Sequence, residues 1–355
     1  MSLEVIKSYL TDPTRFLNLD SIQSYKNMVV VPLVTNEEQT IEFRTLLKGE
    51  KEGFAYIKEQ ESETVAQLEA VNKGSVPVLI PFMQTISGGK QDRTVFEPIL
   101  IPSAEAENNT VVISIPSKCV ERSRWAYRAR NAPDNVKRQF LSSELKVSPS
   151  SSRRALSAKY RQVSEQSEMW DSIDQMRSSL NISNNVARSN SHIEMAKHKE
   201  KDIKDYAQHF TQVPGQTGLG LLINGKLVGI ELYGNANSFN DFFDEIINSY
   251  ALEALIRKDK EKNEISENEA YNQILGKFNI DEMEFMTRKG IGLGEIIEFK
   301  SKNMNWVGIS LTHQNKICHL YIVAETALPG SSAGPESRQQ ESRVRTSGLN
   351  RRFRR

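Results

Sequence analysis

The chain has 355 residues, 38% hydrophobic and 26% charged, apolar enough to bury a core over one large domain or two ordinary ones and too apolar for a wholly disordered polymer. Its 46 basic and 45 acidic side chains nearly cancel, which argues against a general polyanion binder and against a strongly basic membrane-surface protein. The balance is uneven along the chain, because residues 329–355 hold seven arginines and two glutamates and leave 39 basic and 43 acidic groups in the rest.

The start, MSLEVIKSYLTDPTRF, has neither the basic head nor the apolar run of a signal peptide, and no later segment approaches the roughly 20 apolar residues that span a bilayer. A soluble, cytoplasmic protein without a membrane anchor is expected, with residues 1–24 as a helical lead-in. Two cysteines, Cys119 and Cys318, are too few for a disulfide framework and form no CxxC pair for zinc, so two free thiols are the simpler reading.

Residues 25–130 alternate apolar runs with punctuation: NMVVVPLV, TIEFRTLL, GFAYIKE, VPVLIPFM, RTVFEPILIP and TVVISIP. Their length and β-branched content predict strands. Pro32, Pro77, Pro81, Pro98, Pro102 and Pro116 lack the N–H that a sheet ladder needs, which predicts short, bulged or edge strands in a twisted β-rich unit. From 131 to 215 the composition turns to Ser, Asn, Arg and Gln, with a linker-like cluster at Ser150, Ser151 and Ser152. Leu156, Tyr160, Val163, Trp170, Ile173 and Leu180, widened by Met169 and Met176, fall at helical spacing and predict an amphipathic helix packed on the sheet. HIEMAKHKEKDIKDYAQHF predicts a second, more charged helical stretch.

In residues 216–327, Asn224-Gly225 between GLGLLI and KLVGIELYG predicts a type I′ hairpin, since both turn residues tolerate positive φ. Ser238 with Asp241 resembles a capping box ahead of an apolar face that includes Phe239, Phe242, Ile246 and Tyr250. After a charged segment and a short helix, GEIIEFKS, WVGISLTH and KICHLYIVAE predict three more strands. The fold class expected is α+β: β-rich, mostly antiparallel twisted sheets with several packed helices and a disordered Arg-rich tail at 328–355. That tail is a candidate contact for an acidic or nucleic-acid partner, although it lacks RGG repeats and its only aromatic is Phe353.

Two segments concentrate unusual polar residues. In Ser87-Gly88-Gly89-Lys90-Gln91-Asp92-Arg93 the paired glycines would let backbone N–H groups converge on an anion, and Lys90 and Arg93 would add charge-assisted contacts to phosphate or carboxylate. The bland alternative is a hairpin turn with its charges in water. In Cys119-Val120-Glu121-Arg122-Ser123-Arg124-Trp125, strand alternation puts Cys119 and Glu121 on one face. Trp125 would stack a planar group, Arg124 and Gln91 would orient polar atoms, Glu121 would act as a base, and Cys119 would be a nucleophile if a nearby charge or histidine lowered its pKa. The alternative is a buried structural Cys119, an ion pair from Glu121 to Arg124 and a core Trp125. His192, Glu194 and His198 miss metal-ligand spacing, so no metal is expected. GIGLGE precedes a strand rather than a helix, which removes a dinucleotide site, and no cofactor is expected.

The blocks SGGKQDRTVFEPILIP and SIPSKCVERSRWAY resemble the family called ADP-ribosylglycohydrolase and rhodanese-phosphatase-superfamily-associated protein domain, formerly a domain of unknown function. Its turn pattern falls here on Gly89, Lys90, Gln91 and Arg93, and its second block on Cys119, Val120, Glu121, Arg124 and Trp125. Gln166 and Trp170, the INGKLVGIELYG hairpin and the KICHLYIV strand extend the likeness over about residues 25–326. The resemblance implies a setting in NAD-derived and ADP-ribose metabolism and a small ligand carrying phosphates and a planar base. It departs at Ser123, at the charged insertion 257–269 and in the tail. Three functional readings stand: a nucleotide or ADP-ribose-like ligand bound by Gly88, Gly89, Lys90, Gln91, Arg93, Arg124 and Trp125; a non-enzymatic scaffold with a recruiting tail; and a thiol hydrolase or transferase using Cys119 with His313 or His319.

Overall fold

The computed structural model describes residues 2–36, 41–60, 67–87, 91–105, 109–120, 144–147, 166–183, 192–258, 265–275, 278–302 and 306–324. In chain order these form α1 (Ser2–Thr11), β1 (Leu17–Leu19), β2 (Gln23–Tyr25), β3 (Met28–Thr35), β4 (Arg44–Thr45), α2 (Leu46–Glu52), β5 (Ala55–Glu59), β6 (Gln67–Asn72), β7 (Val78–Ile80), β8 (Thr85–Ser87), β9 (Arg93–Val95), β10 (Ile99–Ile101), β11 (Val111–Cys119) and β12 (Glu144–Val147). They continue as α3 (Gln166–Ser179), α4 (His192–His198), α5 (Glu200–Ala207), β13 (Gln216–Ile223), β14 (Lys226–Tyr233), α6 (Ala236–Ile256), α7 (Glu267–Leu275), β15 (Met283–Lys289), β16 (Glu295–Ser301), β17 (Trp306–His313) and β18 (Lys316–Ala324). The fold is α+β and mostly antiparallel, with one parallel pair, β4 with β7. The Ser150–Ser152 cluster, the first half of the 156–180 helical stripe, and the tail at 328–355 lie outside the described residues.

Three sheets divide the strands. A nine-stranded sheet runs β1-β3-β13-β14-β18-β17-β16-β15, with β2 also on β3; β10-β7-β4 is a small sheet; and β11-β6-β5-β12-β8-β9 closes into a six-stranded barrel. One core cluster joins the large sheet to the helices, through Leu219 and Leu221 of β13, Phe242, Ile246 and Tyr250 of α6, and Ile173 and Met176 of α3. A second cluster includes Ile6 and Leu10 of α1, Ala270 and Ile274 of α7, and Val31, Leu33 and Leu232 of the strands. A third, with Ile57, Leu68, Ala70, Ile86, Val95 and Ile115, fills the barrel. Among the described residues no helix is long and apolar enough to cross a membrane.

Several local expectations meet their physical reasons here. Asn224 and Gly225 take φ of 52° and 72° and set Ile223 opposite Lys226, as the hairpin signal predicts. Gln314 and Asn315 make an equivalent turn, with φ of 52° and 59°. Pro32 sits inside the sheet rather than on its edge. It occupies the point on β3 where the outer partner changes, since β1 pairs with Leu33–Thr35 and β2 with Met28–Val30, so the missing N–H interrupts no ladder.

Two readings are corrected and two strands are added. TIEFRTLL is not one strand: among its described residues only Arg44 and Thr45 pair as strand, after which Thr45 Oγ1 accepts the Lys48 N–H at 3.1 Å and starts α2. The cap of α6 is Asn235, whose Oδ1 accepts the Ser238 N–H at 2.8 Å. Asp241 instead accepts a hydrogen bond from the Thr45 hydroxyl at 2.6 Å, tying the helix to the smaller sheet. QLEAVN and MEFMTRK are strands β6 and β15 that apolar runs alone do not reveal, because polar residues alternate through both.

Candidate functional site: the polar end of the barrel

The barrel follows from two-residue alternation. In β5, Ala55, Ile57 and Glu59 are buried while Tyr56 and Lys58 are less so, and in β11 the buried positions are Ile115, Ser117 and Cys119. Directly opposed residues of paired strands share a face, and Ile86 opposes Arg93, which opposes Cys119. One barrel end is therefore aliphatic inside, whereas at the other Glu59, Arg93, Ser117 and Cys119 turn inward with Ile86.

This end joins the two segments singled out in the sequence. β8 ends at Ser87 and the chain returns through Gln91 into β9, beside the end of β11. The Cys119 thiol donates to Gln91 Oε1 at 2.8 Å, and the Val120 N–H donates to the Asp92 carbonyl at 2.9 Å. Gln91, Arg93 and Cys119 are all buried, at 4%, 0% and 1% exposure. Gly88, Gly89, Lys90, Glu121, Arg124 and Trp125 lie outside the described residues. They adjoin this end in sequence, directly after Ser87 and Val120.

Arg93 has an internal role that the sequence reading does not assign to it. Its guanidinium meets the Glu59 carboxylate at 2.9 and 3.1 Å inside the barrel, with both side chains almost wholly buried, and it reaches the Gln67 carbonyl at 3.4 Å. An arginine buried this deeply needs its countercharge from within the fold.

The histidines named as partners for Cys119 sit elsewhere. His319 is fully buried in the large sheet, with Nε2 3.1 Å from Glu231 Oε1, the same oxygen that accepts the Tyr233 hydroxyl at 2.8 Å. His313 ends β17 opposite Lys316. Its backbone lies beside the other cysteine, Cys318, whose thiol burial pushes up to about 12. The histidine nearest the end of β11 is His192, whose N–H donates to the Val120 carbonyl at 3.1 Å and docks α4 there. Among the described residues no group of three or more His, Cys, Asp or Glu is arranged to hold a metal ion.

Sequence reasoning missed Glu59 and Ser117. Their signal was present, because Glu59 continues the Ala55, Ile57 alternation and Ser117 falls two residues before Cys119. It also missed Gln84, whose side-chain N–H group donates to Glu245 Oε1 of α6 at 3.2 Å and links the end of the β7–β8 connection to the helix. An apolar hollow on the opposite face of the large sheet, walled by Tyr9, Leu10, Leu33, Ile230, Ile274 and Phe278, offers no comparable chemistry.

No curated protein and no solved structure matches the chain. A family model does, over residues 16–323, spanning the large sheet and the barrel strands alike. The chain belongs to the ARG and Rhodanese-Phosphatase-superfamily-associated Protein domain family.

Proposed function

We propose that the polar end of the barrel binds a small phosphate-containing ligand of the nucleotide or ADP-ribose-like class. The observation that carries this is the register of β9 with β11: Arg93 opposes Cys119 and Gln91 bonds to it. Ser87 and Gln91, which flank the cationic Gly88–Lys90 segment, and Val120, which precedes the Glu121–Trp125 segment, therefore lie at the same end of one barrel. Lys90 and the backbone N–H groups of Gly88 and Gly89 meet the phosphate, Arg124 orients polar atoms, and Trp125 stacks the planar base. Glu121 would act as the base if a reaction follows binding. Gln91 and Arg93 hold the strand ends from inside, Arg93 through Glu59, so that the charge facing the ligand is that of Lys90. The ADP-ribose class itself rests on the family resemblance.

A scaffold reading has a specific observation behind it, since Arg93 and Cys119 both have side-chain partners within the fold. Calorimetry on the full chain with ADP-ribose, NAD and inorganic phosphate separates the two. Saturable binding that falls at least tenfold in Lys90→Ala and Trp125→Ala is expected. The absence of binding by a protein with an intact melting transition overturns the ligand reading and leaves the scaffold, for which the Arg-rich tail would be the recruiting element.

A further inference from the structure

We propose that two copies of this chain associate by antiparallel pairing of β15 with β15, about a two-fold axis at Met286. β15 ends the nine-stranded sheet and pairs only with β16 among the described residues, so its outer row of N–H and C=O groups is an edge open to strand addition. Met286, in the middle of the strand, is 56% exposed, an unusual degree for a large apolar side chain among the described residues.

The occupant follows from the sequence of the strand. A two-fold axis normal to a sheet keeps each side chain on its own face, so every residue must oppose one an even number of positions away. With Met286 opposite its twin, all seven residues of Met283–Lys289 are paired, Glu284 faces Arg288 of the second copy, and Arg288 faces its Glu284. Sliding the strands by two residues puts Glu284 or Arg288 opposite Met286, pairs fewer residues and matches no charges. The favoured register also prolongs a pattern already present: Glu284 meets Lys300 at 3.1 Å and Arg288 meets Glu298 at 3.2 Å across β15 and β16, while the same guanidinium nitrogen of Arg288 also pairs with Glu97 beyond the sheet. Association therefore makes a row that alternates in sign across both copies. A charged edge repels strands of arbitrary sequence, and this one selects its own complement. Seven residues of edge form a small interface, so the dimer is expected to form at roughly 10–100 µM protein.

Sedimentation velocity on the full chain across that range tests the proposal, together with Met286→Cys under mild oxidation. Directly opposed Cα atoms lie about 4.5–5.5 Å apart, within disulfide reach, whereas copies of residue 289 would lie much farther apart. Met286→Cys is expected to give a cross-linked dimer and Lys289→Cys none. Glu284→Arg should be monomeric with an unchanged melting temperature, and mixing it with Arg288→Glu should restore a dimer. A monomer throughout, with no cross-link, overturns the proposal. A dimer that survives Glu284→Arg and fails to cross-link at 286 also overturns it, by assigning the contact to another surface. Both outcomes are independent of whether the barrel binds a ligand.

Discussion

Breaking the Arg93–Glu59 pair should cost more than removing any exposed ion pair in this protein, and the geometry says why. At about 2.9 Å and an effective dielectric of about 20, the Coulomb attraction is about 6 kcal/mol. Desolvating two ions costs several kcal/mol each, so the intact pair contributes little net stability against an apolar pair of the same volume. Removing one partner forfeits the attraction but leaves the other ion buried, at a cost of about 3–5 kcal/mol. Arg93→Met and Glu59→Leu should therefore each destabilise the fold by that amount, and the double variant should recover most of the loss. Urea unfolding followed by far-UV circular dichroism measures this through the midpoint and slope of each transition. Single variants costing under about 1 kcal/mol, or a double variant losing the sum of both, would refute the argument, because either result means that the charges are solvated or independent. The same double variant separates roles: if Arg93 only braces the barrel end, ligand affinity survives its replacement by methionine.

Two further expectations test the joints between the sheets and the state of the buried thiols. Gly292 has φ of 79°, and a Cβ there would lie 2.2 Å from the Leu100 carbonyl oxygen, so Gly292→Ala should lose about 2–4 kcal/mol through left-handed strain and clash. A melting temperature within a degree of the parent protein would contradict this. Cys318, raised to about 12 by burial, should not react with an aromatic disulfide at pH 8 until the protein unfolds, and fast labelling in Cys119→Ser would be the contrary result. The folded thiol is neutral, so its contribution to stability is fully present below the ordinary thiol pKa and is lost as pH climbs from there towards 12.

Elements whose signal is local are legible in the sequence, and those whose signal is a partner are not. The Asn224-Gly225 hairpin needs only two residues that accept positive φ, and the stripe of α6 needs only its own period. β6 is different. In QLEAVN the alternation of Leu68 and Ala70 with Gln67 and Glu69 is short and weakly apolar, and it becomes a strand because β5 and β11 flank it on both sides. Pro32 shows the converse. A proline argues for an edge until one knows that the neighbouring chain happens to break beside it, which is a property of β1 and β2 rather than of β3.

The same distinction governs the candidate site. GGKQDR and CVERSRW attract notice because charge and sulfur interrupt runs that should continue as apolar strand, and the register of β9 with β11 sets Arg93 of the first opposite Cys119 of the second. A charged residue in such a place has two physical solutions, a countercharge inside the fold or a ligand outside it. For Arg93 the choice was made by Glu59, 34 residues earlier at the end of another strand, in a segment whose own pattern reads as an ordinary half-buried strand. With Arg93 neutralised from within, the cation left to recognise an anion in GGKQDR is Lys90. The prediction that replacing Lys90 weakens binding at least tenfold while replacing the Arg93–Glu59 pair spares it is thus the point at which the barrel's internal chemistry and its proposed ligand chemistry come apart.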